Sequence, residues 1–306
     1  MNNNRPLLIV IAGPTAVGKT TMAIDVARHF DTEILSADSR QFYREMSIGT
    51  AKPTEEELRK APHHFVDFLP VEEGYSAGEF ERDAIKKLEE IFSQKRVAVL
   101  CGGSGLYADA VCQGLDDLPK SIEEREKLNQ QLKDEGIESL QEELKKRDPA
   151  FYEKIDLKNP QRLIRALEVC RTAGKPYSTL RDDTAKERPF EILKIALHTD
   201  RNILYERINE RVEEMVANGL IEEAKSLYPK RKLNALNTVG YKELFNWLDG
   251  EMSREEAIDE IKKNTRRFAK RQLTWLRKDD EYNWVHAGDS NTVIELANKR
   301  LENKGR

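Results

Sequence analysis

Six consecutive apolar residues, Leu7-Leu8-Ile9-Val10-Ile11-Ala12, stand near the start of the chain with no polar position among them. A run this short, stopped by Gly13, predicts a strand buried on both faces. Residues 18–30 then take helical spacing, 33–36 read as a short second strand ending at Ala37-Asp38-Ser39, and 64–68 as a third. Residues 79–93 form a charged amphipathic pattern, and 97–101 a second fully apolar strand that breaks at Gly102-Gly103. Strands alternating with helices predict a parallel α/β core. Between residues 116 and 188 only helical patterns occur, punctuated by Gly136, Asp148-Pro149, Asn159-Pro160 and Gly174 with Pro176, each a helix stop or a cap before proline. Strand character returns at 192–197, followed by helical patterns at 201–218, 221–228, 241–248 and 254–276, a short strand at 282–285, and a tail expected to fray from Asn298. The expected organisation is a core of residues 1–115 and 189–306, with residues 116–188 as an inserted all-helical subdomain.

Composition narrows the class. The chain has 306 residues, 39% hydrophobic and 35% charged, with a formal charge of −4, which gives no global sign of nucleic-acid binding. The cations are uneven: residues 261–278 hold eight Lys or Arg and no acid, which leaves the rest of the chain at −12. That segment suits a nucleic-acid backbone, and its Phe268, Gln272, Trp275 and Leu276 fall near one face, where the aromatics are expected to pack into the core. Cys101, Cys112 and Cys170 are widely spaced and odd in number, against a disulfide framework or a zinc site. His63-His64 lacks further ligands at a telling spacing and reads as structural. The first apolar run is too short for a signal peptide or a membrane span, so the expectation is a cytoplasmic protein with no membrane association.

Chemistry concentrates where strands end. Gly13-Pro14-Thr15-Ala16-Val17-Gly18-Lys19-Thr20 lies between a strand and a helix, the setting of a phosphate-binding loop. Its spacing turns backbone N–H groups onto a polyphosphate, sets the Lys19 ammonium on the terminal oxygens and offers the Thr20 hydroxyl to Mg²⁺. Asp38 ends the next strand and fits a base, a water-mediated Mg²⁺ ligand or a simple turn residue, and Ser39-Arg40-Gln41 add a hydroxyl, a cation and an amide beside it. Gly102-Gly103-Ser104-Gly105 lets backbone approach a ligand and presents the Ser104 hydroxyl, or is a plain strand-to-helix turn. The strand before it ends in Cys-Gly-Gly where an ordinary ATPase carries Asp. Gln161, Arg162 and Arg165 open a helix and could reach phosphate or base; Arg207 and Arg211, at i and i+4, could clamp a diphosphate or pair with surface acids.

In order along the chain, these segments resemble the tRNA dimethylallyltransferases, also called tRNA isopentenyl transferases, over essentially its full length. The resemblance rests on Gly-Pro-Thr-Ala-Val-Gly-Lys-Thr at 13–20, Ser-Ala-Asp-Ser-Arg-Gln-Phe-Tyr at 36–43 and Ile-Gly-Thr-Ala-Lys-Pro at 48–53. It continues with Gly-Gly-Ser-Gly-Leu-Tyr at 102–107, Asn-Pro-Gln-Arg-Leu-Ile-Arg-Ala-Leu-Glu-Val at 159–169, Val-Gly-Tyr at 239–241 and Ala-Lys-Arg-Gln-Leu-Thr-Trp at 269–275. It implies a P-loop NTPase-like core in which residues 13–20 and Arg211 hold dimethylallyl diphosphate with Mg²⁺ on Thr20. The prenyl group would pass to the exocyclic amine of the adenine immediately 3′ of the anticodon. Asp38 would accept the amine proton, and Ser104, where many relatives carry Thr, would bridge amine and phosphate. The tRNA would meet Asp38, Ser39, Arg40, Gln41 and Ser104, together with Arg125, Gln161, Arg162, Leu163, Ile164 and Arg165. Asn237-Thr238 and Lys242 depart from the Arg-Cys and Arg of some bacterial relatives, and the eukaryotic zinc-finger extension is missing, as in the bacterial form. A monomer is expected. The competing expectations are a P-loop small-molecule or nucleotide kinase using ATP, an adenylate isopentenyltransferase, which generally lacks the helical insertion, and a non-enzymatic RNA-binding nucleotide switch.

Overall fold

In the computed structural model, which describes residues 5–182 and 184–302, the first apolar run is β1 (Leu7–Ala12), buried at every position. The chain continues through α1 (Lys19–His29), β2 (Ile34–Ser36), α2 (Glu55–Lys60), β3 (His63–His64), α3 (Ala77–Phe92), β4 (Val97–Gly102) and α4 (Gly105–Gln113). Five helices follow: α5 (Ile122–Glu135), α6 (Ile137–Arg147), α7 (Pro149–Tyr152), α8 (Pro160–Ala173) and α9 (Tyr177–Leu180). Then come β5 (Glu191–His198), α10 (Arg201–Ala217), α11 (Leu220–Leu227), α12 (Tyr241–Leu248), α13 (Arg254–Leu276), β6 (Asn283–His286) and α14 (Ser290–Glu302). Two compact units result, residues 1–113 with 187–306, and residues 114–186.

The first unit holds a parallel six-stranded sheet in the order β3-β2-β4-β1-β5-β6. Alternation along β1 explains why its sequence has no polar position. Leu8 and Val10 pack into a core with Phe80, Leu88, Val111 and Leu244 from α3, α4 and α12. Leu7, Ile9 and Ile11 face a second core with Met22, Val26, Ile208 and Val293 from α1, α10 and α14. Each side chain is covered by helices whichever way it points, as a central parallel strand requires.

Two expectations need correction, and one helix lies where none is expected. The strand expected over 64–68 stops after His64, because Phe65 (φ 63°) and Asp67 (φ 56°) take left-handed backbone that ends the pleat. Helix α2 arises from a capping box that the sequence carries openly: Thr54 accepts from the N–H of Glu57, whose carboxylate accepts from the N–H of Thr54. The tail stays helical past Asn298 to Glu302, anchored by buried Val293 and Ala297; residues 303–306 lie outside the described residues.

Gly102 is fixed by the sheet. A Cβ there would stand 2.2 Å from the carbonyl oxygen of Ala37, the residue that follows β2. Gly102→Ala is therefore expected to destabilise by about 1–3 kcal/mol, the usual cost of overpacking, read as a lower urea midpoint with unchanged slope. An unchanged midpoint would mean that β2 and β4 separate freely at this level.

The helical unit is built from its punctuation. Ser121, Asp148 and Asn159 accept the third N–H of α5, α7 and α8, Pro149 and Pro160 occupy first helical positions, and Gly174 closes α8 in left-handed conformation at φ 65°. Leu128, Leu140, Leu144, Leu163, Ile164 and Leu167 from α5, α6 and α8 make its core.

Candidate active site

Parallel strands deliver their carboxyl ends to one edge of the sheet, and three adjacent strands here, β2, β4 and β1, end in Asp38, Ser104 and the 13–20 loop. Ala12 lies level with Gly102, and Ser36 with Cys101. The loop leaves β1 and turns back through Ala16 (φ 63°) and Gly18 (φ 102°), and α1 starts on Gly18 with no side-chain cap. Its first N–H groups are thus left for an anion. The Lys19 ammonium reaches across the loop to the carbonyls of Gly13 (3.0 Å) and Pro14 (2.8 Å). Burial lowers it to about 8, against the fields of Cys101 and Asp38, while Arg211 adds to the lowering. Burial likewise lowers the Arg211 guanidinium, opposed first by Asp38. Two imperfectly solvated cations therefore share one carboxylate, an arrangement that gains from an arriving polyanion.

Asp38 is held by its own turn: one carboxylate oxygen accepts from the N–H of Arg40 at 3.0 Å. Ser104 is tied to the same turn, accepting from the N–H of Ser39 at 3.1 Å, with the two hydroxyls 3.2 Å apart. Below them the N–H of Ser104 donates to Ala37 (3.3 Å), and that of Ala37 to Cys101 (2.8 Å). Gln41 turns its amide onto the carbonyls of Thr50 and Ala51.

These groups line one cavity of about 980 Å³, together with Gly13, Thr15, Gly18, Lys19, Thr20, Arg40, Gln41 and Arg211. Its far walls come from α10 (Arg207, Met215), the α12 approach (Val239, Lys242) and α13 (Phe268, Arg271, Trp275). Pro14 and Val17 belong to the loop but are absent from that wall, Val17 being packed in the core. The expectation that the α13 aromatics pack into the core is corrected: Phe268 and Trp275 are 39% and 38% exposed and face the cavity. Trp275 donates to Asp109 (3.0 Å) and covers Gly105, where a Cβ would meet its indole at 2.5 Å.

Gln272, one turn before Trp275, has a role that helical spacing alone did not reveal. Its carbonyl oxygen accepts from the N–H of Thr15 (2.9 Å) and its amide donates to Gly103 (2.8 Å), joining the phosphate-type loop to the Ser104 turn. Gln272→Leu keeps the bulk and leaves both backbone groups unpaired, at about 1–3 kcal/mol each. The expected result is a fall of about tenfold or more in turnover from misplacement of the two loops. Initial rates beside a thermal melt decide it, and full activity would mean that the loops hold their places without the bridge.

In the helical unit, Gln161 and Arg162 are exposed at the start of α8. Leu163 and Ile164 are buried in its core, so neither side chain is available at the surface. Arg125 and Arg165 converge on buried Glu168 at 3.3 and 3.1 Å, and Arg165 also donates to the carbonyls of Leu118 and Pro119. Their charge is engaged within the unit.

Comparison with known proteins places the chain in a family and agrees with its fold. The model of the IPP transferase family matches residues 41–279. The chain is 57% identical to the tRNA dimethylallyltransferase of Christiangramia forsetii, over 94% of this chain and 95% of that one. The solved full-length tRNA isopentenylpyrophosphate transferase of Bacillus halodurans superposes with a TM-score of 0.72 at 38% identity, covering 98% of each chain. A eukaryotic dimethylallyltransferase acting on tRNA superposes at 0.80 and 25% identity, over 97% of this chain and 80% of that one. The parallel core shared with these structures is P-loop NTPase-like, and the chain belongs to the tRNA dimethylallyltransferase family of enzymes.

Proposed function

We propose that this enzyme transfers the dimethylallyl group of dimethylallyl diphosphate to the N6 amine of the adenine 3′-adjacent to the anticodon of a tRNA, releasing pyrophosphate. One observation carries the reading: the phosphate-type loop, Asp38 and Ser104 line a single cavity at the ends of three neighbouring strands. The allylic C–O bond breaks with its electron pair leaving on the diphosphate. Loop N–H groups, Lys19 and Arg211 neutralise that charge. The amine nitrogen forms the new C–N bond and gives its proton to Asp38, while Ser104, tied to the Asp38 turn, positions amine and leaving group. A target base extruded from an unpaired loop enters the cavity at low cost, meeting Ser39, Arg40 and Gln41 at its mouth. The exposed start of α8, with Gln161 and Arg162, supplies further contacts to the RNA.

Mg²⁺ fits the residues present on particular terms. Thr20 and Asp38 line the same cavity as Lys19, and no group of three or more His, Cys, Asp or Glu forms a cation cage among the described residues. Thr20 would hold Mg²⁺ beside the bound diphosphate, and the ion would supply charge neutralisation to the leaving group. Kinase chemistry is disfavoured because β4 ends in Cys101-Gly102 with no carboxylate in the ATPase position, and because the relatives are named as prenyl transferases acting on tRNA. No described helix is long and apolar enough to cross a membrane.

The test is incubation of the purified protein with unmodified tRNA, Mg²⁺ and radiolabelled dimethylallyl diphosphate, with ATP in a parallel reaction. Label in the tRNA is expected. Phosphate transfer from ATP without prenyl label would overturn the reading.

A further inference from the structure

Outside the cavity wall, Glu223 of α11 makes four hydrogen bonds with one carboxylate. One oxygen accepts from the N–H groups of Ser47 (2.9 Å) and Ile48 (2.8 Å). The other accepts from the N–H of Gly49 (2.9 Å) and the hydroxyl of Tyr241 (2.6 Å) at the head of α12. Three successive backbone donors turned onto one anion form a nest, an anion-binding concavity whose N–H groups lose their partner if the carboxylate is removed. Gly49 is required at this point, since a Cβ would stand 2.6 Å from the Tyr241 ring. Burial and the neighbouring carboxylate push the Tyr241 phenol well up, so it remains a donor to Glu223.

The nest has a downstream consequence at the cavity. The next two residues of the same loop present their carbonyls, Thr50 at 3.2 Å and Ala51 at 3.1 Å, to the side-chain amide of Gln41. The Gln41 carbonyl oxygen accepts from the Ser36 hydroxyl at 3.0 Å, so the whole amide is oriented. Its backbone N–H closes the Asp38 turn by donating to the Asp38 carbonyl at 3.2 Å. Gly49, Thr50, Ala51 and Gln41 all face the cavity, and Glu223 does not.

We propose that Glu223 is a positioning residue for the acceptor: by filling the 47–49 nest it sets the Thr50 and Ala51 carbonyls that aim Gln41 and hold the Asp38–Gln41 turn. The proposal rests on the reading above that this turn meets the tRNA. It separates the two substrates, because the four hydrogen bonds of Glu223 fall on residues 47–49 and Tyr241 and none on the 13–20 loop, so donor binding is independent of it.

The experiment measures KM for tRNA and for dimethylallyl diphosphate in Glu223→Gln, Tyr241→Phe, Gln41→Ala and the Glu223→Gln/Gln41→Ala double variant, each with a thermal melt. Glu223→Gln is expected to raise KM for tRNA about tenfold and leave KM for the donor within about twofold, because its amide confronts N–H donors with further donors. The double variant is expected to match Gln41→Ala alone within about twofold, as coupled residues do. Tyr241→Phe leaves the three backbone donors on the carboxylate and raises KM for tRNA by a smaller factor, so it carries the test if the glutamine variant does not fold. Equal loss for both substrates, or effects of Glu223→Gln and Gln41→Ala that multiply, would overturn the positioning role while leaving the turn as the tRNA contact. No change of tRNA KM in Gln41→Ala would overturn that contact and the proposal with it.

Discussion

Asp38→Asn is expected to lower the rate of prenyl transfer by about 10²-fold or more, the usual cost of losing a general base, with tRNA affinity unchanged. An exocyclic amine has its lone pair delocalised into the ring, so forming the new C–N bond leaves nitrogen positive unless a proton departs at the same stage. Among the strand ends that meet in the cavity, Asp38 is the carboxylate beside the 13–20 loop and Ser104. Asparagine preserves the turn, since its side-chain oxygen accepts from the N–H of Arg40 as the carboxylate does at 3.0 Å. What it removes is basicity and a negative charge facing Lys19 and Arg211. Single-turnover rates with saturating donor, compared with filter binding of tRNA, separate the two effects. A rate within a few-fold of the parent would remove Asp38 from the role of base, and a matching loss of tRNA affinity would make it a binding residue.

The parts of the site legible in the sequence are those where the backbone itself is the device. Gly18 at φ 102° is needed for the loop to turn into α1, and spacing alone locates it beside Lys19 and Thr20. β1 was legible because a strand covered on both faces tolerates no polar residue, and the helical unit because Asn159-Pro160 and Gly174 spell out the ends of α8. The strand expected at 64–68 fails for a physical reason: Phe65 and Asp67 adopt left-handed backbone without glycine, Phe65 packed against the core and the Asp67 N–H bonded to the Gln41 carbonyl, contacts that no local rule reports. Periodicity identifies a face on α13 but not what the face meets, so Trp275 and Phe268 read as core residues although they border a cavity. Gln272 and Glu223 were hidden for another reason. Their partners lie 257 and 176 residues away in the chain, and a side chain that hydrogen-bonds distant backbone leaves no spacing to read.

Lys19→Met should reduce kcat/KM for the donor by about 10²–10³-fold, the range measured when one preorganised charge-stabilising donor is removed from a reacting oxygen. The free protein spends the ammonium on the carbonyls of Gly13 and Pro14, and burial lowers it to about 8. A buried cation whose hydrogen-bond partners among the described residues are carbonyls is poorly compensated, so in the absence of donor its removal should leave the melting temperature equal to the parent's or higher. With pyrophosphate present the order should reverse. The parent gains stability in proportion to its affinity for the anion, by RT ln(1 + [L]/Kd), and the variant loses most of that gain. Melting both proteins across a pyrophosphate titration therefore reads the role of Lys19 without any turnover. Equal shifts in the two would place the diphosphate elsewhere in the cavity, on Arg207 and Arg211. A parent-only shift would assign the 13–20 loop to the leaving group, and would account for a loop that orders its cation before any substrate arrives: charge that is costly in the free enzyme is most strongly relieved when the allylic C–O bond breaks.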